Sequence, residues 1–243
     1  MSDYHGDSLY RIEYLPSLLI PIILGILDSA VRDWNIVFPL VGWLLMAIGM
    51  NLMNDAIDQD RLTGLSVKSL LILSAVSTGT GLYLALSYNF LYALIFIFLV
   101  TIYNLKLKKI PLINLLISVV TYPILGYLAF VVHPKILTLI ILILGAFFAE
   151  LVHNIADRDA TFRYLKNKTI ILTTILGVAL FLSSIYIAIK VNSFWLPLPL
   201  ITGVGLYGVI HNRNKLEKWP EMKKLGTEVF KFATIYLSVF LFK

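Results

Sequence analysis

The sequence predicts an all-α polytopic membrane protein with nine transmembrane helices. Three observations lead there. Hydrophobic residues make up 59% of the 243 positions and charged residues only 14%, against roughly a quarter charged in soluble domains. Mean hydropathy is +0.86. The apolar residues also fall in runs of sixteen to twenty-two, close to the ~20 residues with which an α-helix crosses a ~30 Å hydrocarbon layer.

Breaking the runs at Gly, Pro, Asn and charge gives the spans in order. The first is Tyr14 to Val31, and the first ten residues of the chain, Met1 to Tyr10, are polar and of mixed charge. No small-residue cleavage site follows that run, so no signal peptide is expected. Asn35 to Ala56 comes second. Ser66 to Leu86 and Phe90 to Leu105 are joined only by Ser87-Tyr88-Asn89 and are expected as an antiparallel pair. Leu112 to Val131, Ile136 to Ala156, Thr169 to Ile189, Phe194 to Ile210 and Thr227 to Phe242 complete the set. With no cysteine in the chain, disulfides and thiolate metal sites are excluded.

Basic residues give the orientation, because cytoplasmic loops hold the excess of Lys and Arg. With the N-terminus in the cytoplasm, fifteen Lys and Arg fall inside, from Arg11 to Lys224. Four fall outside: Arg32, Lys135, Lys190 and Lys243. The net charge of +6 therefore reads as membrane topology rather than as a nucleic-acid surface. Membrane lipid is the expected surrounding, and nothing in the sequence calls for an obligate protein partner.

A faint repeat runs through the chain. Asn51-x3-Asp55-x2-Asp58-x-Asp60 returns, 99 positions later, as Glu150-x3-Asn154-x2-Asp157-x-Asp159. Upstream of each lies a proline followed by glycine, Pro21 to Gly25 and Pro123 to Gly126. The repeat divides residues 1–243, a single transmembrane domain, into halves of about 11–110 and 111–215, with a ninth helix at 227–242.

The same two segments carry the chemistry. Spacings of three, four and seven put Asn51, Asn54, Asp55 and Asp58 on one helical face. Glu150, Asn154 and Asp157 repeat the arrangement, with His153 one turn before Asp157 and Asp159 just beyond it. Oxygen donors grouped in this way suit Mg²⁺, which takes one or two carboxylates, keeps several waters and binds substrate phosphates. Ionisable groups at membrane depth are costly and usually mark a site. A cationic loop from Tyr103 to Lys109, followed by Asn114, offers Lys106 and Lys108 to an anion. Carboxylates in membrane helices also mark ion pathways, so a transporter or a non-catalytic binding protein is a competing reading.

These residues resemble the UbiA superfamily of intramembrane prenyltransferases, over Arg11 to about Thr169. Asn54-Asp55-x-x-Asp58, with Asn51 a turn earlier, looks like the first acidic motif of that family. Arg11 to Gly25 is similar to its first helix, Tyr103 to Lys109 with Asn114 to its Tyr-and-Lys loop, and Asn154-Ile-Ala-Asp157-Arg-Asp159 to its second acidic motif. Departures are visible. Leu62 and Thr161 stand where the family usually places a further Asp, Asp60 lies at a shifted position, and an Arg-Pro-rich stretch is missing after the first motif.

The resemblance implies nine helices around a central cavity and catalysis at the cytoplasmic side of the cell membrane. Mg²⁺ held by Asp55, Asp58, Asp157 and Asp159 would bridge the diphosphate of a prenyl donor. Arg11, Asn51, Asn54, Tyr103, Lys106, Lys108 and Asn154 would contact that head. The departing diphosphate would leave an allylic carbocation for a lipophilic acceptor, expected to be an aromatic quinone precursor. Tyr103, Tyr122 and Tyr127 are candidates to face the cation. Within the same chemistry, the alternatives are an archaeal ether-lipid (geranylgeranylglyceryl phosphate) prenyltransferase and a terpene cyclase.

Overall fold

The computed structural model describes residues 15–29, 33–58, 65–86, 88–190, 195 and 197–241, and all regular structure among them is helical. α1 (Leu15–Ser29) is followed by α2 (Val37–Asp58), α3 (Val67–Ala85) and α4 (Phe90–Leu105). A rod then forms from α5 (Ile113–Val119), a π-helical turn (Val120–Ile124) and α6 (Leu125–Phe130). Pro123 sits inside that turn, where its missing N–H and its ring disturb the α ladder. α7 (Ile136–Asp157), the short α8 (Ala160–Leu165), α9 (Asn167–Lys190), α10 (Pro197–Asn212) and α11 (Trp219–Leu241) complete the chain.

Five helical stretches among the described residues have the length and hydropathy to cross a membrane: Trp34–Asp58, Val67–Ala85, Ile113–Phe130, Ile136–Asp157 and Asn167–Lys190. Shorter apolar helices stand beside them at Leu18–Ser29 and Phe90–Leu105. The outer surface carries many large apolar side chains, with Leu71, Ile72, Val76, Ile175, Leu182 and Leu200 all exposed. Inside, Ser184 and Thr202 are buried and share a 2.9 Å hydrogen bond between α9 and α10. Only lipid makes such a surface stable. The protein is an integral membrane protein.

Small residues set the closest helix contacts. A Cβ on Gly42 would lie 2.6 Å from the Gly81 carbonyl, and one on Gly49 would lie 2.8 Å from that of Ser74, so α2 and α3 touch backbone to backbone. Ser66 caps α3 by accepting the Ser69 N–H at 3.1 Å. α3 ends at Ala85 and α4 begins at Phe90, with Asn89 left-handed at the start of α4 and donating to the Ala129 carbonyl. The two Pro–Gly stretches of the repeat lie against each other. Gly25 faces the Tyr127 carbonyl and Phe130, while Gly126 faces Pro21 and Ile22. α11 closes the bundle by packing on α1 and α7.

The last helix starts two turns earlier than hydropathy indicated, at Trp219 instead of Thr227. The charged segment Glu221-Met-Lys-Lys224 hid it from an apolar window. Pro220 is tolerated because it lies in the first turn, where its missing N–H has no helical partner to lose.

The two ends of the bundle differ. At one end Asp28 accepts hydrogen bonds from Tyr127 Oη at 2.8 Å, Lys135 Nζ at 2.8 Å and Thr138 Oγ1 at 2.7 Å. At the other lie the ends of α2 and α7. Thr138 and Asp157 are nineteen positions apart on α7, roughly 29 Å at helical rise, about one hydrocarbon thickness.

Candidate active site

One large cavity, of about 840 Å³, runs through the bundle. Its polar end is lined by Asn51, Asn54 and Asp58 from α2, by Tyr103 and Asn104 from α4, and by Lys108 and Lys109 from the loop after it. Glu150, His153, Asp157, Asp159 and Arg163 come from α7 and α8, and Lys223 from α11. Away from that end the wall is apolar, with Leu18, Leu24, Ile141, Leu142, Phe230 and Leu237 among its residues. The two acidic helix ends therefore open into the same space.

Local structure explains the arrangement. α7 ends in two paired hydrogen bonds, from Asp159 N–H to the Asn154 carbonyl at 3.0 Å and from Arg158 N–H to that of Ile155 at 3.4 Å. This is the Schellman geometry. Arg158 adopts the left-handed conformation with φ of 55°, although glycine is the usual residue there. The reversal brings Asp159 back beside Asp157. His153, Asp157 and Asp159 each offer a ligand atom, all within 4.8 Å of one another. His153 Nε2 lies 3.2 Å from Asp157.

Each acidic tip carries a lysine. Lys108 donates to Asn54 Oδ1 at 3.1 Å and to the Asp58 carboxylate. Lys223 Nζ donates to Asp157 Oδ2 at 2.6 Å. Burial pushes the Asp159 carboxyl above the ordinary value. The charges of Asp157 and Asp58 add to that rise, while Lys223 and Arg163 oppose it. Asp58 lines the same cavity as Asp157 and Asp159, so the two tips share one polar space.

Not every residue singled out from the sequence meets the cavity. Asp55 is buried, at 4% exposure, and is not among the lining residues. Lys106 is exposed and is not among the lining residues. Asn154 is fully buried and does not reach the cavity. Its amide donates to Glu150 Oε1 at 3.2 Å and its carbonyl oxygen accepts from Asn114 Nδ2 at 3.1 Å, so it positions Glu150 instead of touching a ligand. Tyr103 and Tyr122 line the cavity; Tyr127 belongs to the Asp28 cluster at the far end. Arg11, Asp60 and Leu62 lie outside the described residues.

Thr161 has a different part from the one its sequence position suggested. It is fully buried, accepts the Leu112 N–H at 3.1 Å and donates to Asn114 Oδ1 at 2.5 Å. Thr161, Asn114, Asn154 and Glu150 thus form a chain linking α8, α5 and α7. Sequence reasoning gave no role to Lys223, which had been counted with the loops. A signal existed: Pro220 marks a helix start, and Trp219 and Lys223, four apart across it, share a helix face.

No family sequence model matches the chain, and no curated protein matches it. Solved structures do match. A UbiA homologue from Archaeoglobus fulgidus bound to Cd²⁺ is similar at a TM-score of 0.71 and 12% identity, covering 95% of this chain and 98% of that one. A digeranylgeranylglyceryl phosphate synthase is similar at 0.67 and 18% identity, covering 95% of each chain. The UbiA homologue bound to DMAPP and Mg²⁺ is similar at 0.63 and 15% identity, covering 93% of this chain and 97% of that one. Over nearly its whole length, then, this chain has the fold of these solved UbiA homologues.

Proposed function

We propose that the protein is an intramembrane prenyltransferase, moving a polyprenyl group from a prenyl diphosphate to a lipophilic aromatic acceptor of the quinone-precursor type, with Mg²⁺ as cofactor. One observation carries this reading: a single cavity holds both acidic tips and their lysines at one end and is apolar elsewhere. A diphosphate with a hydrocarbon tail has the same polarity. The names of two solved neighbours, UbiA homologues bound to DMAPP or GPP with Mg²⁺, agree with it.

The donor set fits the cation. Asp157 and Asp159 offer oxygens beside His153, Asp58 lines the same cavity end, and Mg²⁺ accepts one or two carboxylates alongside phosphate oxygens. Asp55 stands behind Asp58 on α2 as a supporting carboxylate. When bound, Mg²⁺ supplies neutralisation of the departing diphosphate and a template for its orientation.

The chain does the rest. Lys108, aimed by Asn54 and Asp58, contacts the diphosphate, with Asn51, Tyr103 and Arg11 as further contacts. The C1–O bond of the donor breaks with its electron pair on the diphosphate, leaving an allylic cation on the prenyl group. Tyr103 and Tyr122 present ring faces to it, and the apolar wall keeps water away. A carbon of the acceptor forms the new bond and loses a proton, so prenylated acceptor, pyrophosphate and H⁺ are the products.

We place the polar end, and with it the N-terminus, in the cytoplasm, with nine crossings in two four-helix halves and a last helix. The fifteen-to-four division of Lys and Arg supports that placement. A glyceryl phosphate ether acceptor is the second reading, favoured by Lys109 and Arg163 at the same cavity end, which suit another phosphate.

The test uses purified protein in nanodiscs, Mg²⁺ and prenyl diphosphates of several lengths. Aromatic acids and glyceryl phosphate ethers are offered in parallel, with products read by mass spectrometry and pyrophosphate assayed. Mg²⁺-dependent prenylation of an aromatic acid is expected. Prenylation of the ether alone moves the acceptor to the second reading, release without any acceptor marks a cyclase, and no release under any condition sinks the enzyme assignment.

A further inference from the structure

We propose that Lys223, from the last helix, is a diphosphate-binding residue that supplies fixed positive charge at the second acidic tip. The inference rests on the prenyl diphosphate reading and adds a residue to it.

Position comes first. Lys223 lines the polar end of the cavity and its Nζ lies 2.6 Å from Asp157. An ammonium has three N–H donors, and among the described residues Asp157 takes the one hydrogen bond that Lys223 makes by its side chain. Two donors are left for a ligand. Lys108, its counterpart at the first tip, already divides its donors between Asn54 and Asp58.

The placement is also rigid. Trp219, one turn earlier on the same face, is completely buried and packs with Val152 and Ile155 of α7 and Val209 of α10. Its indole N–H donates to the Asn212 carbonyl at 3.2 Å. Met222 sits over Gly208. The start of α11 is therefore fixed to the end of α7 by a large apolar anchor, and the backbone that carries Lys223 cannot move away from Asp157 without moving it. Such fixed charge needs little reorganisation when an anion arrives.

Charge bookkeeping favours the same role. The described cavity lining holds Asp58, Glu150, Asp157 and Asp159 against Lys108, Lys109, Arg163 and Lys223. A site this evenly balanced already carries part of the cation complement that a diphosphate requires. Lys223 and a metal ion then compete for Asp157 when no anion is present, and cooperate once a diphosphate bridges them.

That competition gives a test with two signs. Inorganic pyrophosphate with Mg²⁺, and separately Mn²⁺ alone, are titrated into wild type, Lys223→Met, Lys223→Gln, Lys223→Arg and the surface control Lys218→Met in nanodiscs, by calorimetry and by Mn²⁺ resonance. Methionine keeps the packing of the stem, and thermal unfolding checks each variant. Loss of the ammonium should weaken Mg-pyrophosphate binding by about tenfold or more in both Met and Gln variants, while Mn²⁺ alone binds as well as or better than in wild type. Arginine should restore pyrophosphate binding, and Lys218→Met should match wild type. Unchanged pyrophosphate affinity in a folded Met or Gln variant overturns the proposal and leaves Lys223 a counter-ion of Asp157. Wild type that fails to bind Mg-pyrophosphate overturns the prenyl diphosphate reading as well.

Discussion

At the scale of single residues, the acidic tips are separable by what each carboxylate touches. Asp58 and Asp157 line the cavity, each bonded to a lysine from another element. Replacing either by Ala should cost about a hundredfold or more in turnover while the protein stays folded in detergent, as near-wild-type circular dichroism would confirm. Turnover surviving both changes would remove these residues from the chemistry. Thr161 makes the opposite case. Its hydroxyl satisfies a backbone N–H and a buried amide oxygen at once, so Thr161→Val should lose about 1–3 kcal/mol of stability, read as a lowered midpoint in denaturant. Thr161→Asp should not create a metal ligand, since the side chain is sealed from the cavity; a gain in Mg²⁺ affinity would contradict that burial. Sequence position alone could not distinguish a hydroxyl facing a metal from one facing Asn114, because Asn114 is 47 residues away and meets it only in the fold.

At the scale of elements, helix ends do most of the positioning. α7 stops with Arg158 in the left-handed region, which costs a non-glycine residue about 1 kcal/mol or more. Arg158→Gly should therefore raise the thermal midpoint without displacing Asp157 and Asp159, whose metal affinity should hold. A lower midpoint would mean that the guanidinium does more than its backbone costs. The α2 and α3 pair depends on glycine in a different way. Gly81→Leu would drive a side chain into Met46 and the Gly42 carbonyl, which lies 2.5 Å from where its Cβ would be. The pair would be forced apart, and with it the α2 end that carries Asp58. Loss of monodisperse protein in detergent, or lost turnover in what remains, is expected; a well-behaved active variant would show that the contact is not needed. Sequence periodicity finds where such helices run, yet close approach depends on which glycines face each other, and that is settled only by packing.

At the scale of the whole molecule, the lipid-soluble architecture was the most legible part, because apolar runs of membrane length leave few alternatives for a chain with so little charge. The polar helix ends were legible for the same reason: carboxylates such as Asp58 and Asp157 stand out at the tips of spans otherwise full of Leu and Ile. Amphipathic turns were not, and so the first two turns of α11, with Lys223, were lost to the loops. Nor does sequence show the shape of a cavity. Gly145 lines that cavity, and a Cβ placed on it would meet nothing within 4 Å. It lies twelve positions before Asp157 on α7, roughly 18 Å along the helix from the acidic tip. A prenyl chain whose diphosphate sits at the tip must pass Gly145 if it is long and stops short of it if it is a single isoprene unit. Gly145→Phe should then fill the path without disturbing neighbours. Turnover with a geranylgeranyl donor should fall about tenfold or more, the scale set by losing a few buried methylenes, while turnover with dimethylallyl diphosphate changes little. Competition kinetics between the two donors reads this directly. Equal losses for both donors would show that the tail leaves the tip by another route, and the apolar wall would then have to be reassigned to the acceptor.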